Sequence, residues 1–133
     1  MLFRSEAHVE SFADRDRDAL ELALELRADF VGLSFVRTPD DVEHVRSLLP
    51  RRGHRPALVA KIETAGALDH LAGIVHSADA VMVARGDLGI QVPARRVPLI
   101  QKEIIGLCNL AGRPVITATQ MLESMTQIGR AHV

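Results

Sequence analysis

The strongest constraint on this chain is a repeated exchange between amphipathic stretches and short, almost wholly apolar ones. Asp14 to Arg27 carries Leu20, Ala23 and Leu24 on one face and Arg15, Asp18, Glu21 and Glu25 elsewhere, which predicts a helix with one wet side. The apolar residues of Asp29 to Val36 do not alternate with polar ones, so this run predicts a strand buried on both faces. Thr38-Pro39-Asp40-Asp41 then opens a helix: a capping residue, a proline suited to the first helical position, and two acids where the helix dipole favours them. That helix is expected to end before Arg51-Arg52-Gly53.

The cycle repeats three more times. Pro56 to Glu63 reads as a strand and Ala65 to Ser77 as a helix; Ala78 to Leu88 reads as a strand running into Gly89. Pro98 to Ala111 reads as a helix closed by Gly112, Pro114 to Thr119 as a fourth strand, and Met121 to Met125 as the start of another helix. Strand starts lie roughly 25 to 35 residues apart, the spacing of βα units. Parallel strands joined by right-handed crossovers leave a doubly wound sheet or a (β/α)8 barrel. No Gly-x-Gly-x-x-Gly stretch follows the first strand, which weakens the doubly wound, dinucleotide-binding option. Polar residues also gather at the C-terminal end of every predicted strand: Ser34 and Arg37, Lys61 and Glu63, Arg85 and Asp87, Thr117 and Thr119. Barrel enzymes keep their chemistry on that rim. The expected fold is therefore α/β: a partial TIM (β/α)8 barrel of about four consecutive βα units, filling residues 1–133 as one partial domain. Since a whole barrel takes roughly 250 residues, the chain reads as about half of one.

Composition narrows the function. The 16 basic and 17 acidic residues nearly cancel, and aromatics make up 3% of the chain, so neither charge nor stacking surface favours nucleic acid. The 6 histidines show no metal-ligand spacing. Cys108 is alone, which rules out an internal disulfide and fits a reducing cytoplasm; inside Ile104 to Cys108 it reads as a buried small hydrophobe. Charges at Arg4 and Glu6 interrupt any signal-like apolar region, and no run of 18 apolar residues suggests a membrane span.

The chemistry-bearing residues lie on three segments. In Ala57-Leu58-Val59-Ala60-Lys61-Ile62-Glu63, strand alternation sends Lys61 and Glu63 to the same side. An ammonium and a carboxylate there are either a structural ion pair, since i and i+2 lie roughly 6.8 Å apart, or groups held for use. Asp87, in Val81 to Gly89, stands either as a helix cap or as a ligand. Adjacent strands are roughly 4.8 Å apart, so Glu63 and Asp87 can both reach one Mg²⁺, an ion that takes one or two carboxylates. Gly86 and Gly89 permit a tight turn whose N–H groups can face an anion. Arg85-Gly86-Asp87 also spells a cell-adhesion tripeptide, read here as coincidence. Thr117 and Thr119 offer hydroxyls to a substrate or to the local backbone.

Ala60-Lys61-Ile62-Glu63, Met82-Val83-Ala84-Arg85-Gly86-Asp87-Leu88-Gly89 and Ala118-Thr119-Gln120-Met121-Leu122-Glu123-Ser124-Met125 resemble consecutive signature segments of the pyruvate kinase family, in that family's order and spacing. Ser34-Phe35-Val36-Arg37 is similar too, so the resemblance covers about residues 12–126, with 127–133 as an atypical tail. It implies transfer of a phosphoryl group from phosphoenolpyruvate to ADP, giving pyruvate and ATP. Glu63 and Asp87 would hold Mg²⁺ (or Mn²⁺), and Lys61 would sit by the transferring phosphoryl. The backbone at Ala84, Gly86 and Asp87 would receive the substrate carboxylate, and Thr119 would act near the carbon that is protonated. It also implies a cytoplasmic homotetramer using K⁺. The potassium ligands, the lid and the C-terminal regulatory domain find no counterpart in this sequence, and Pro56 and Gly66 depart from the family's usual residues. Two other readings are a magnesium-dependent lyase or aldolase on the same kind of barrel, which has no evident need for the segment from Thr119 to Met125, and a non-catalytic piece.

Overall fold

The computed structural model describes residues 14–118. Helix α1 (Asp14–Glu25) leads to strand β1 (Phe30–Leu33), then α2 (Pro39–Leu48) and β2 (Ala57–Ile62). Two short helices, α3 (Ala65–Leu68) and α4 (Leu71–Ser77), precede β3 (Ala80–Ala84). Helix α5 (Arg85–Gln91), a 3₁₀ turn at Ala94–Arg96, α6 (Val97–Ala111) and β4 (Val115–Ala118) complete the order.

The four strands form one sheet in the order β1-β2-β3-β4, and each neighbouring pair is parallel. Right-handed crossovers in a sheet that always steps the same way place every helix on one face, whereas a doubly wound sheet reverses direction and covers both. The packing agrees: α2 lies against α4, and α4 against α6, as a single helical layer. One core joins Leu33, Leu58, Ala60, Ile62, Val81 and Val83 of the sheet to Val42 and Val45 of α2, Ile74 and Val75 of α4, and Ile100 and Ile104 of α6. The alternate strand residues point away from the helices, and at the two edges they are bare: Phe30 is 66% exposed and Ile116 43%. The sheet is thus a consecutive arc of a (β/α) barrel, with helices outside and the barrel interior on the other face.

Several features depart from the sequence reading. β1 is buried on its helix-facing side only, because among the described residues no second layer covers Phe30 and Gly32. The helix predicted over Ala65 to Ser77 is interrupted at Asp69 and His70, where His70 leaves helical backbone at φ −124° and ψ 14°. The strand predicted to run to Leu88 stops at Ala84, and α5 begins at once, turning Leu88 back into the core with no exposure. The start of α2 matches its signals: Thr38 is the extended N-cap, Pro39 opens the helix, and Asp41 Oδ2 accepts from the N–H groups of Arg37 and Thr38 at 2.8 and 2.9 Å.

Candidate active site

The C-terminal ends of the strands define a rim, and β2 supplies its centre. Ile62 points into the helical core, so alternation turns Lys61 and Glu63 to the barrel-interior face, as the sequence pattern required. Lys61 Nζ lies 3.0 Å from Glu63 Oε1 and donates to Ser34 Oγ at 3.1 Å. The register Leu33↔Ala60 sets Ser34 abreast of Lys61. The lysine stem crosses β1 at Gly32, where a Cβ would stand 3.7 Å from Lys61 Cδ.

Glu63 is 4% exposed, and it is the one buried polar or charged side chain among the described residues. A carboxylate in such a place is tolerable only when paired and hydrogen-bonded. Both conditions hold: Oε1 faces the Lys61 ammonium, and the Phe35 N–H donates to Oε2 at 2.6 Å. The ion-pair reading of Lys61 and Glu63 is therefore realised as geometry. One partner remains partly open to solvent at the rim, which also leaves the pair accessible to a ligand.

Asp87 is exposed and occupies the first turn of α5 rather than the tip of β3; Ala84 is that helix's N-cap. An acid in the first turn suits the helix dipole, and the first N–H groups of any helix lack intrahelical acceptors. The register Ile62↔Val83 makes the ends of β2 and β3 neighbours and brings Glu63 abreast of Ala84, the residue from which α5 springs. Arg85 Nε donates to the Ala118 carbonyl at 3.2 Å, tying the start of α5 to the end of β4. The far end of α5 is tied as well: Gln91 Oε1 accepts from the Ala65 N–H at 3.1 Å, beside Thr64, which caps α3. Gly86 is exposed, and a Cβ there would meet nothing within 4 Å.

Thr117 pairs with Val83, a residue of the helix-side core, so it faces the helices and not the rim interior. Thr119 lies outside the described residues. Sequence reasoning missed Phe35 and Gln91 as parts of the rim: a main-chain donor carries no side-chain signal, and Gln91 acts from beyond the strand. A cavity of about 740 Å³ runs beside the site, lined by Ser34, Phe35, Arg37, Thr64 and Gln91 at the rim and reaching α1 at Asp16 and Leu20. Lys61, Glu63 and Asp87 stand next to it rather than in its wall.

The acidic side chains on this rim, Glu63 and Asp87, offer oxygen donors only, the donor type that suits a hard divalent cation. Among the described residues no three His, Cys, Asp or Glu side chains cluster as a self-sufficient metal cage. Magnesium needs no such cage. Cys108 plays no part: it is fully buried in α6, and burial pushes its thiol pKa up, as expected of a structural residue.

A parallel, singly wound arc with an ammonium, a buried carboxylate and a helix start on its C-terminal rim defines a segment of a (β/α)8-barrel domain. Comparison with known proteins narrows the class. The family described as pyruvate kinase, barrel domain, matches residues 2–132, and the chain belongs to that family. It is 48% identical over 120 residues to the pyruvate kinase of Mycobacterium tuberculosis (strain CDC 1551 / Oshkosh), covering 90% of this chain and 25% of that protein. It is 54% identical over 111 residues to the pyruvate kinase of Agrobacterium vitis, covering 84% of this chain and 22% of that protein. The crystal structure of a pyruvate kinase from Cryptosporidium parvum superposes with a TM-score of 0.82 at 38% identity, over 89% of this chain and 26% of that one. The chain thus spans about a quarter of the length of these relatives. No helix among the described residues is long and apolar enough to cross a membrane.

Proposed function

We propose that this chain is the metal- and phosphoryl-handling arc of a pyruvate kinase barrel, serving transfer from phosphoenolpyruvate to ADP to give pyruvate and ATP. The observation that carries the reading is the Lys61 ammonium 3.0 Å from one oxygen of a buried Glu63 on the catalytic rim. Family membership supports it. Glu63 and Asp87 are the metal ligands in this reading. A divalent cation bound there supplies charge neutralisation for the substrate's phosphate and carboxylate oxygens.

The remaining roles belong to the chain's own groups. Lys61 stands as a positive charge beside the transferring phosphoryl and the oxygen that becomes an enolate, where electrostatic stabilisation is worth most. The first turn of α5, with Ala84, Gly86 and the Asp87 backbone, receives the substrate carboxylate through main-chain N–H groups. Thr119 orients a water next to the carbon that takes a proton.

The test is a transplant. The 133-residue chain alone is expected to show no pyruvate release with phosphoenolpyruvate, ADP, Mg²⁺ and K⁺, because its described residues supply four strands of a barrel that takes eight. Residues 12–118 placed in the matching segment of the Mycobacterium tuberculosis relative are expected to support turnover, and Lys61→Met in that chimera to lower kcat by at least about a hundred-fold. A folded chimera that keeps its rate within a few-fold after Lys61→Met removes the role assigned to the lysine.

A further inference from the structure

Phe35 has a backbone that its side chain does not explain. Its φ is +54°, the left-handed region, which is a genuine outlier for a bulky L-residue. The residue is 59% exposed, so deep burial does not compensate for that conformation. On either side the chain is fixed: Leu33 closes β1 against the core, Val36 is buried, and the Arg37 and Thr38 N–H groups are held by Asp41. Between these anchors the left-handed turn delivers one group, the Phe35 N–H, 2.6 Å from Glu63 Oε2, 28 residues away in sequence.

We infer that Phe35 is a positioning residue for Glu63, acting through its main chain. A carboxylate on a strand end can rotate about its last bond. The Phe35 N–H fixes Oε2, so Oε1 is left directed at Lys61 and the rim. The strained backbone is the device that aims the N–H, and the identity of the ring is secondary. This rests on the proposed reading of Glu63 as a metal ligand, and it adds to that reading the group that sets the ligand's orientation.

Mn²⁺ titration of the full 133-residue chain, followed by the signal of the free ion, separates the two claims. Glu63→Gln is expected to weaken binding by about ten-fold or more if Glu63 is a ligand; unchanged affinity overturns that reading and the positioning role with it. Given that loss, Phe35→Gly and Phe35→Asn, which keep the N–H and tolerate positive φ, are expected to bind within about two-fold of wild type. Phe35→Val, whose branched side chain resists positive φ, is expected to bind about ten-fold or more weakly. A valine variant with wild-type affinity, or a glycine variant as weak as valine, overturns the positioning role alone. Amide exchange in the metal-free chain gives a second reading if the valine variant does not fold: the Phe35 amide should exchange on the order of ten-fold more slowly in wild type than in Glu63→Ala. Equal rates in the two proteins overturn the proposal.

Discussion

Asp79 Oδ2 accepts from the Leu58 N–H at 2.8 Å and from Arg46 Nη2 at 3.2 Å, while the same arginine nitrogen donates to the Ser77 carbonyl at 2.6 Å. One carboxylate thereby joins α2, the start of β2 and the entrance to β3 at the end of the sheet opposite the rim. Replacing Asp79 with Ala leaves a strand N–H without its acceptor, and it should destabilise the chain by about 1–3 kcal/mol in urea unfolding. An effect below about 0.5 kcal/mol would mean that water replaces the carboxylate fully. Cys108 gives a prediction of the other kind. Its folded thiol pKa is raised by burial, so the protonated thiol's contribution is fully present below the unfolded-state pKa and is lost as pH climbs towards the folded one. Unfolding stability should therefore fall above about pH 9, and the fall should be shallower in Cys108→Ala. Parallel alkaline limbs for the two proteins would contradict this. At the scale of single residues the sequence was informative where chemistry is local: Lys61 and Glu63 share a face because they are two apart on a strand. It was silent on Asp79 and Phe35, whose partners lie 21 and 28 residues away.

Helix ends show the same division one scale up. α6 closes as its sequence announces, with Gly112 at φ +64° and the Arg113 N–H bonded to the Cys108 carbonyl at 2.8 Å. α1 closes with the same motif, the Ala28 N–H reaching the Ala23 carbonyl at 2.9 Å, but the left-handed position is Arg27 at φ +53°. With arginine where glycine is the signal, the sequence pattern carries the helix two residues too far. The junction of β3 and α5 hid for a related reason: the apolar run continues through Leu88, and periodicity cannot separate a strand from a helix turn over so few residues. Close packing between helices was equally invisible. A Cβ on Gly73 of α4 would stand 2.5 Å from Cγ of Pro39 in α2, and a proline ring at a helix start has little room to yield. Gly73→Ala should accordingly destabilise by about 1–3 kcal/mol despite alanine's better helix propensity, read from the denaturation midpoint. A gain in stability would show that the two helices can part at no cost.

For the whole molecule, the choice between a doubly wound sheet and a barrel was legible because chemistry-bearing residues recur at one end of successive strands, and the order β1-β2-β3-β4 bears it out. The bare edges of the interior face were not legible: apolar runs signal two buried faces, whereas the layer that would cover Phe30 and Ile116 is not supplied by the described residues. In the proposed reading, β2 and the β3–α5 junction bring Lys61, Glu63 and Asp87 to one cation site. Backbone amide NMR of the chain during Mn²⁺ addition tests it most directly, since the ion broadens only nearby signals. The amides of Phe35, Glu63, Thr64, Gly86 and Asp87 are expected to fade together at the same low Mn²⁺ concentration, while Ala57 and Ala80 at the opposite strand ends persist. Separate titrations for Glu63 and Asp87, or broadening that starts at the opposite end of the sheet, would contradict it.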